Sequence, residues 1–132
     1  MLEALKRHAK IGIVMNNFTE EQRDKMEACG LTAFVDALVT SEEAHHTKPE
    51  PQIFQMALDR LGCRAGEAVM VGDWWEADVM GARNAGIRAV WFNRLGLAKP
   101  DDRDVLEITS FEPADVVAAQ IMYPGTFVPD LR

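Results

Sequence analysis

Hydrophobic residues along the chain fall into short unbroken runs, separated by longer stretches in which they recur every three or four positions. Residues 11–15 and 68–72 are apolar at nearly every position, as in strands covered on both faces, and 37–40 and 88–92 are two further short runs. Thr19, with Gln22 three residues on, makes a capping box that predicts a helix reaching to Gly30, a residue able to close it in the left-handed conformation. Pro49 and Pro51 suit the start of a helix over about 50–61, in which Ile53, Phe54, Ala57, Leu58 and Leu61 form one apolar stripe and Gly62 closes the end. A third helix spans about 76–85 and stops at Gly86. A weaker strand at 107–109 leads to Ser110, the expected cap of a last helix through Val116, Val117 and Gln120. Tyr123-Pro124-Gly125 and Pro129 mark a tail with little regular structure.

Strand runs alternating with amphipathic stretches predict an α/β fold: a three-layer, Rossmann-like parallel sheet with helices on both faces. The runs at 11–15 and 68–72 are expected at its centre. The 132 residues suffice for one domain, read as a core over 1–120 and a tail over 121–132. Fourteen basic against 21 acidic residues leave a net charge of −7, and no basic run offsets it, which argues against nucleic acid or an anionic membrane as partner. No stretch approaches the roughly 20 apolar residues that cross a bilayer, and the first ten residues lack a signal-like apolar block, so a cytoplasmic location is expected. Cys29 and Cys63 have no partner at metal-ligand spacing and are expected as small buried residues.

In an open parallel sheet ligands sit beyond the carboxyl ends of the strands. The first run is followed by Asn16-Asn17, the second by a loop to Lys48-Pro49-Glu50-Pro51, and the third by Asp73-Trp74-Trp75-Glu76-Ala77-Asp78. Two carboxylates five apart, one on a strand tip and one in the first helical turn, suit a hard cation such as Mg²⁺, with Lys48 supplying the balancing charge. The same acids would equally favour the positive end of the helix that starts near Glu76. His45-His46 reads as a solvated loop. Trp74 and Trp75 read as partly buried packing, with stacking on a substrate as their other use. The small residues from Gly81 to Gly86 read as close helix-on-sheet packing.

Taken together, the order and spacing of these segments resemble the haloacid dehalogenase-like (HAD) hydrolase superfamily, in the branch whose cap is inserted before the second motif. Residues 11–17 look like the second motif, Lys48-Pro49-Glu50-Pro51-Gln52-Ile53-Phe54 like the third, and Val71-Gly72-Asp73 through Asp78 with Gly81-Ala82-Arg83-Asn84-Ala85-Gly86 like the fourth. The resemblance implies an aspartyl-nucleophile phosphatase or dehalogenase acting on a small phosphorylated or halogenated substrate. Lys48 and Asn16 are its candidate catalytic residues, and Asp73 and Asp78 its Mg²⁺ ligands.

Two departures qualify that implication. The first motif, an apolar strand followed by Asp-x-Asp-x-Thr, occurs nowhere in the chain, and Asp130, after Phe127-Val128-Pro129, lacks its companion residues. Met15 stands where the family has Ser or Thr, and a thioether cannot donate a hydrogen bond to phosphate. The family's first strand lies between those at 11–15 and 68–72, so its absence leaves two apolar edges facing a gap. Such edges would pair directly, exchange an element within a homo-oligomer, or accept a strand from another polypeptide. The expectation is a core fragment inactive as this isolated chain; the alternative is a non-catalytic HAD-fold protein that assembles through those edges.

Overall fold

The computed structural model describes residues 2–6 and 9–122. Strand β1 (Gly12–Met15) pairs in parallel with β2 (Ala37–Thr40), with Ile13 opposite Leu38. Strands β3 (Val69–Gly72), β4 (Arg88–Phe92) and β5 (Leu106–Ile108) form a second parallel sheet in that order, with Val71 opposite Val90 and Trp91 opposite Glu107. The expected α/β class holds, but the two central runs do not sit at a sheet centre. Each is the edge of its own sheet, and direct pairing between β1 and β3, one of the three expected ways of closing the gap, does not occur. A parallel partner for both would have to lie between them, and no described segment does.

The helices cover both faces. On one face lie α4 (Pro51–Leu61) and a π-helical segment, Trp75–Met80, that runs into α5 (Gly81–Asn84). Ile53, Phe54, Ala57 and Leu58 of α4 are buried in one cluster with Val39 of β2 and with Ala89 and Trp91 of β4, so this layer spans both sheets. Burying a side chain such as Phe54 or Ile53 contributes about 1.5–3 kcal/mol. The other face carries α6 (Ala114–Met122), whose Val117 and Ile121 pack on Val90 and Ile108, with Leu5 of the short α1 (Leu2–Lys6) against the same cluster. Arg88, at the start of β4, donates to the carbonyl of Ile121 at the end of α6, and burial holds its pKa below the usual arginine value.

Most predicted ends are where the sequence puts them. Thr19 caps α2 (Glu20–Ala28) in a reciprocal box with Gln22, and Gly30, Gly62 and Gly86 all have positive φ. Three expectations need correction. Ser110 does not cap the last helix: its hydroxyl accepts the Glu112 N–H, and the turn begins at Pro113, whose carbonyl accepts the Val117 N–H. Proline suits that place because it has no N–H to leave unpaired. Cys29 is exposed, since α2 buries none of its residues; Cys63 is half-buried. Trp74 is 60% exposed, whereas Trp75 is buried edge-on against Trp91 with ring centroids 5.0 Å apart. The expected tail is described only at Ile121 and Met122, and the Asp130 segment lies outside the described residues.

Candidate active site

The strand tips carry the candidate residues. Beyond β1 the backbone turns at Asn17, which has φ 55°, a left-handed conformation that asparagine tolerates better than most residues. Its N–H donates to Oγ of buried Ser41 at 2.9 Å, which fixes the turn to the start of α3 (Ser41–Ala44). Asn16, one residue earlier, faces the loop that carries Lys48. Its Oδ1 accepts the Lys48 N–H at 2.9 Å and its Nδ2 donates to the Lys48 carbonyl at 3.3 Å. The same loop is closed by Glu50. The Thr47 N–H and the His46 ring nitrogen, 3.0 and 3.1 Å from its oxygens, hold its carboxyl below the usual carboxylate range.

Lys48 reaches from this loop to Asp78, with Nζ donating to Oδ1 at 2.6 Å; the two side chains are 12% and 6% exposed. The other Asp78 oxygen accepts the Trp74 N–H at 3.1 Å. Room for this carboxylate exists because residue 72 is glycine. A Cβ on Gly72 would fall inside the Asp78 side chain, far closer than van der Waals contact. Close packing recurs at Gly81, where a Cβ would stand 2.8 Å from Phe54 and 3.0 Å from the Pro49 Cα. At Gly81 the tight neighbours are α4 and the Lys48 loop, while Ala82 and Ala85 lie in the cluster with Ala89 and Trp91 of β4, as the expected helix-on-sheet packing requires.

Asp73 stands apart from this group. Its carboxylate is 54% exposed and lies 3.8 Å from Nε of Arg94, while its carbonyl accepts the Trp91 indole N–H at 3.1 Å. Arg94 escaped the sequence reading, although the rule that functional residues follow each apolar run applies to β4 as much as to the other strands. It sits on a pinned loop: buried Asn93 donates to the Leu97 carbonyl at 2.8 Å and to Glu107 at 2.5 Å, and accepts the Leu97 N–H at 3.0 Å.

Between β1 and β3 lies a cavity of about 730 Å³, walled by Ile11, Ile13, Val69 and Val71, with Lys48, Asp73 and Asp78 also on its lining. A strand of four to five residues fills roughly 630–790 Å³, from about 3.3 Å per residue, 4.8 Å between strands and 10 Å between layers. The gap, which is open to solvent, is of the same order as the space one strand occupies.

As a resident Mg²⁺ site, the donor set of this chain falls short. Asp78 has both oxygens engaged, Asp73 faces a guanidinium, and no three His, Cys, Asp or Glu side chains among the described residues converge on one point. Mg²⁺ demands near-octahedral oxygen coordination, so these two carboxylates do not hold it unaided.

A family model described as haloacid dehalogenase-like hydrolase matches residues 1–92. The chain is 40% identical over 97 residues to N-acylneuraminate-9-phosphatase of Rattus norvegicus, which is 73% of this chain and 39% of that protein. It is 38% identical over 102 residues to pyrimidine 5'-nucleotidase YjjG of Escherichia coli K12, 76% of this chain and 45% of that one. Among solved structures, a HAD phosphatase from Thermococcus onnurineus superposes with a TM-score of 0.78 at 38% identity, covering 88% of this chain and 54% of its own. A 2-haloacid dehalogenase from Pseudomonas syringae superposes with a TM-score of 0.77 at 31% identity, covering 90% and 50%. The chain thus spans about two-fifths of the curated relatives it matches.

Proposed function

The chain belongs to the haloacid dehalogenase-like hydrolase family, and from that premise we propose that it is the carboxyl-terminal part of a phosphatase-class hydrolase core, contributing one half of an active site. The observation that carries this reading is the strand-sized cavity between β1 and β3, with Lys48, Asp73 and Asp78 on its lining. A strand entering there parallel to both edges would bring an acidic residue at its carboxyl end close to the Lys48 ammonium. That carboxylate attacks the phosphorus of a small phosphate ester as the bond from phosphorus to the ester oxygen breaks, and the oxygen leaves as the alcohol with a proton from a second acid of the entering strand. Water then cleaves the aspartyl phosphate to inorganic phosphate and the free carboxylate, returning the proton to that acid. Lys48 screens the negative charges that meet in this step, and Asp78 holds it in place. Mg²⁺ would supply further charge neutralisation, but only once the entering strand brings the oxygen ligands that this chain lacks. Without that strand none of the described residues supplies the nucleophile, and the chain is inactive.

The test is a chimera in which the part of the Thermococcus onnurineus phosphatase that precedes the matched region is joined ahead of residue 1. It should hydrolyse p-nitrophenyl phosphate with Mg²⁺, while the 132-residue chain alone shows no turnover. A well-folded chimera inert towards phosphate esters and haloacids alike would overturn the reading.

A second reading, a non-catalytic protein that assembles through its open edges, is favoured by Met15, which ends β1 where a hydroxyl would serve a phosphoryl group. Met15→Thr in the chimera, whether or not it turns over, separates the two. A several-fold rise in kcat/KM would mark a weakened enzyme, and no change would mark a retired site.

A further inference from the structure

Asn16 follows the last residue of β1, a strand-tip position where a side-chain amide is naturally taken for a substrate contact, but it is not among the residues that line the cavity. The hydrogen bonds assign it differently. One acceptor and one donor of its carboxamide are committed to the two ends of a single residue, the N–H and the carbonyl of Lys48, at 2.9 and 3.3 Å. A planar amide paired both ways with the main chain fixes the position and the tilt of that residue, which a single bond would not do. Lys48 is then held at its other end by Asp78, at 2.6 Å. Asn16 belongs to the β1–β2 sheet, whereas Asp78 follows β3 in the other sheet, so Lys48 crosses from one half of the divided molecule to the other at the carboxyl end of the gap.

We propose that Asn16 is a positioning residue, which sets where the Lys48 ammonium lies by clamping the Lys48 main chain rather than by touching substrate. The role rests on Lys48 being the charge-screening residue of the proposed reaction. It deepens that reading because it makes the location of the cation a property of β1, fixed before any nucleophile strand or substrate arrives. The lysine stem has four rotatable bonds, and Asp78 alone could follow it through several main-chain placements. With the main chain clamped, the ammonium has one place to be.

The test has one measurement that needs no activity and one that does. In the 132-residue chain labelled with ¹⁵N-lysine, the Lys48 ammonium, assigned by its loss in Lys48→Arg, should exchange slowly with water because it is held against Asp78. Asn16→Ala should speed that exchange by about tenfold, as expected for losing a pair of hydrogen bonds. Asn16→Asp, which keeps the acceptor for the Lys48 N–H, should fall between the two and serves if the alanine variant does not fold. Ser41→Ala cuts the neighbouring bond to Asn17 in the same turn and should leave the exchange unchanged. The proposal is overturned if Asn16→Ala or Asn16→Asp exchanges like the parent, or if Ser41→Ala speeds exchange as much, since the turn as a whole would then be responsible. In the active chimera, Asn16→Ala should lower kcat about ten- to a hundredfold with KM within about threefold, the effect of a misplaced catalytic group. A KM rise at constant kcat would instead make Asn16 a substrate contact and overturn the proposal. An inert chimera would count against the hydrolase reading alone, because the exchange measurement decides the clamp by itself.

Discussion

Removing the Asp78 carboxylate is the most informative single perturbation of this molecule. Asp78 is 4% exposed, receives the Lys48 ammonium at 2.6 Å and also accepts the Trp74 N–H. Asp78→Ala deletes both bonds and strands an ammonium whose side chain is 12% exposed. Breaking a buried pair from one side costs about 3–5 kcal/mol, because the remaining charge keeps its desolvation penalty without its partner. For 132 residues, an unfolding entropy of about 2.1 cal/mol/K per residue gives about 0.28 kcal/mol/K, so the midpoint should fall by roughly 10–18 °C. Asp78→Asn keeps an acceptor for Trp74 and should cost less, about 2–3 kcal/mol. Lys48→Met should cost about as much as Asp78→Ala, and the double variant Lys48→Met with Asp78→Ala much less than the sum, since no charge is then left buried. Circular dichroism melts and urea titrations of the parent and these four variants measure this directly. If Asp78→Ala costs under about 1 kcal/mol and the cycle shows no coupling, the pair behaves like a solvated surface pair, and the argument that Lys48 is held fails.

Other outcomes follow from the same geometry. Gly72→Ala should destabilise by about 1–3 kcal/mol, the range for overpacking, because its Cβ occupies the place of the Asp78 side chain; a neutral result in a urea titration would show that Asp78 can move away. Because the donor set does not hold Mg²⁺ unaided, neither EDTA nor about 5 mM Mg²⁺ should move the melting midpoint of this chain by more than about 1 °C, and a larger rise with Mg²⁺ would reveal a binding site. Asp36 accepts the Lys6 ammonium at 2.5 Å and the Ile11 N–H at 2.7 Å, which lower its pKa below 3.8. A lowered folded-state pKa contributes stability that is present above the unfolded value and is lost as the pH falls through the folded one. The stability gap between the parent and Asp36→Asn should therefore be constant near pH 7 and narrow below about pH 4; a gap that widens in acid would reverse the assignment. The open edges of β1 and β3 should make the chain associate as its concentration rises, and sedimentation velocity showing a strict monomer, with amides of both edges exchanging freely, would remove that expectation.

The sequence made most of the fold legible because its signals are local. Four strand runs, the Thr19 capping box and the closing glycines at 30, 62 and 86 each depend on a few neighbouring residues, and each lies where the pattern puts it. The short α1, α3 and the 3₁₀ turns at Leu31–Phe34 and Ala65–Glu67 leave no periodic signature at three to five residues and were invisible to it. At the site, the residue types were legible but their pairing was not. Asp73 and Asp78 look like a matched pair five apart, yet the turn between them is π-helical, with the Val79 N–H reaching back five residues to the Trp74 carbonyl. That wider turn accompanies an arrangement in which Asp78 meets Lys48 while Asp73 stays at the strand tip beside Arg94. Nothing in the spacing alone distinguishes this turn from an ordinary α-helical start.

A sheet cut through its middle would ordinarily be expected to fall apart, and the layer on one face explains why this half-site can stay ordered. Helix α4 packs on β1 and β2 and against α5, while α5 and the π-helical segment pack on β4, so the two sheets share one core even though their facing edges do not touch. Phe54, on α4, packs where Gly81 leaves room, and a side chain at Gly81 would also crowd Pro49, next to Lys48. The loop bearing the lysine and the turn bearing Asp78 are thus held by the same apolar layer, independently of whatever fills the gap. An incoming strand would have to supply its own backbone bonds, its apolar faces, its acidic nucleophile and the remaining oxygen ligands for Mg²⁺. The ammonium that nucleophile would meet is already in place, so the Asn16–Lys48–Asp78 arrangement should stay intact whether or not a strand fills the gap.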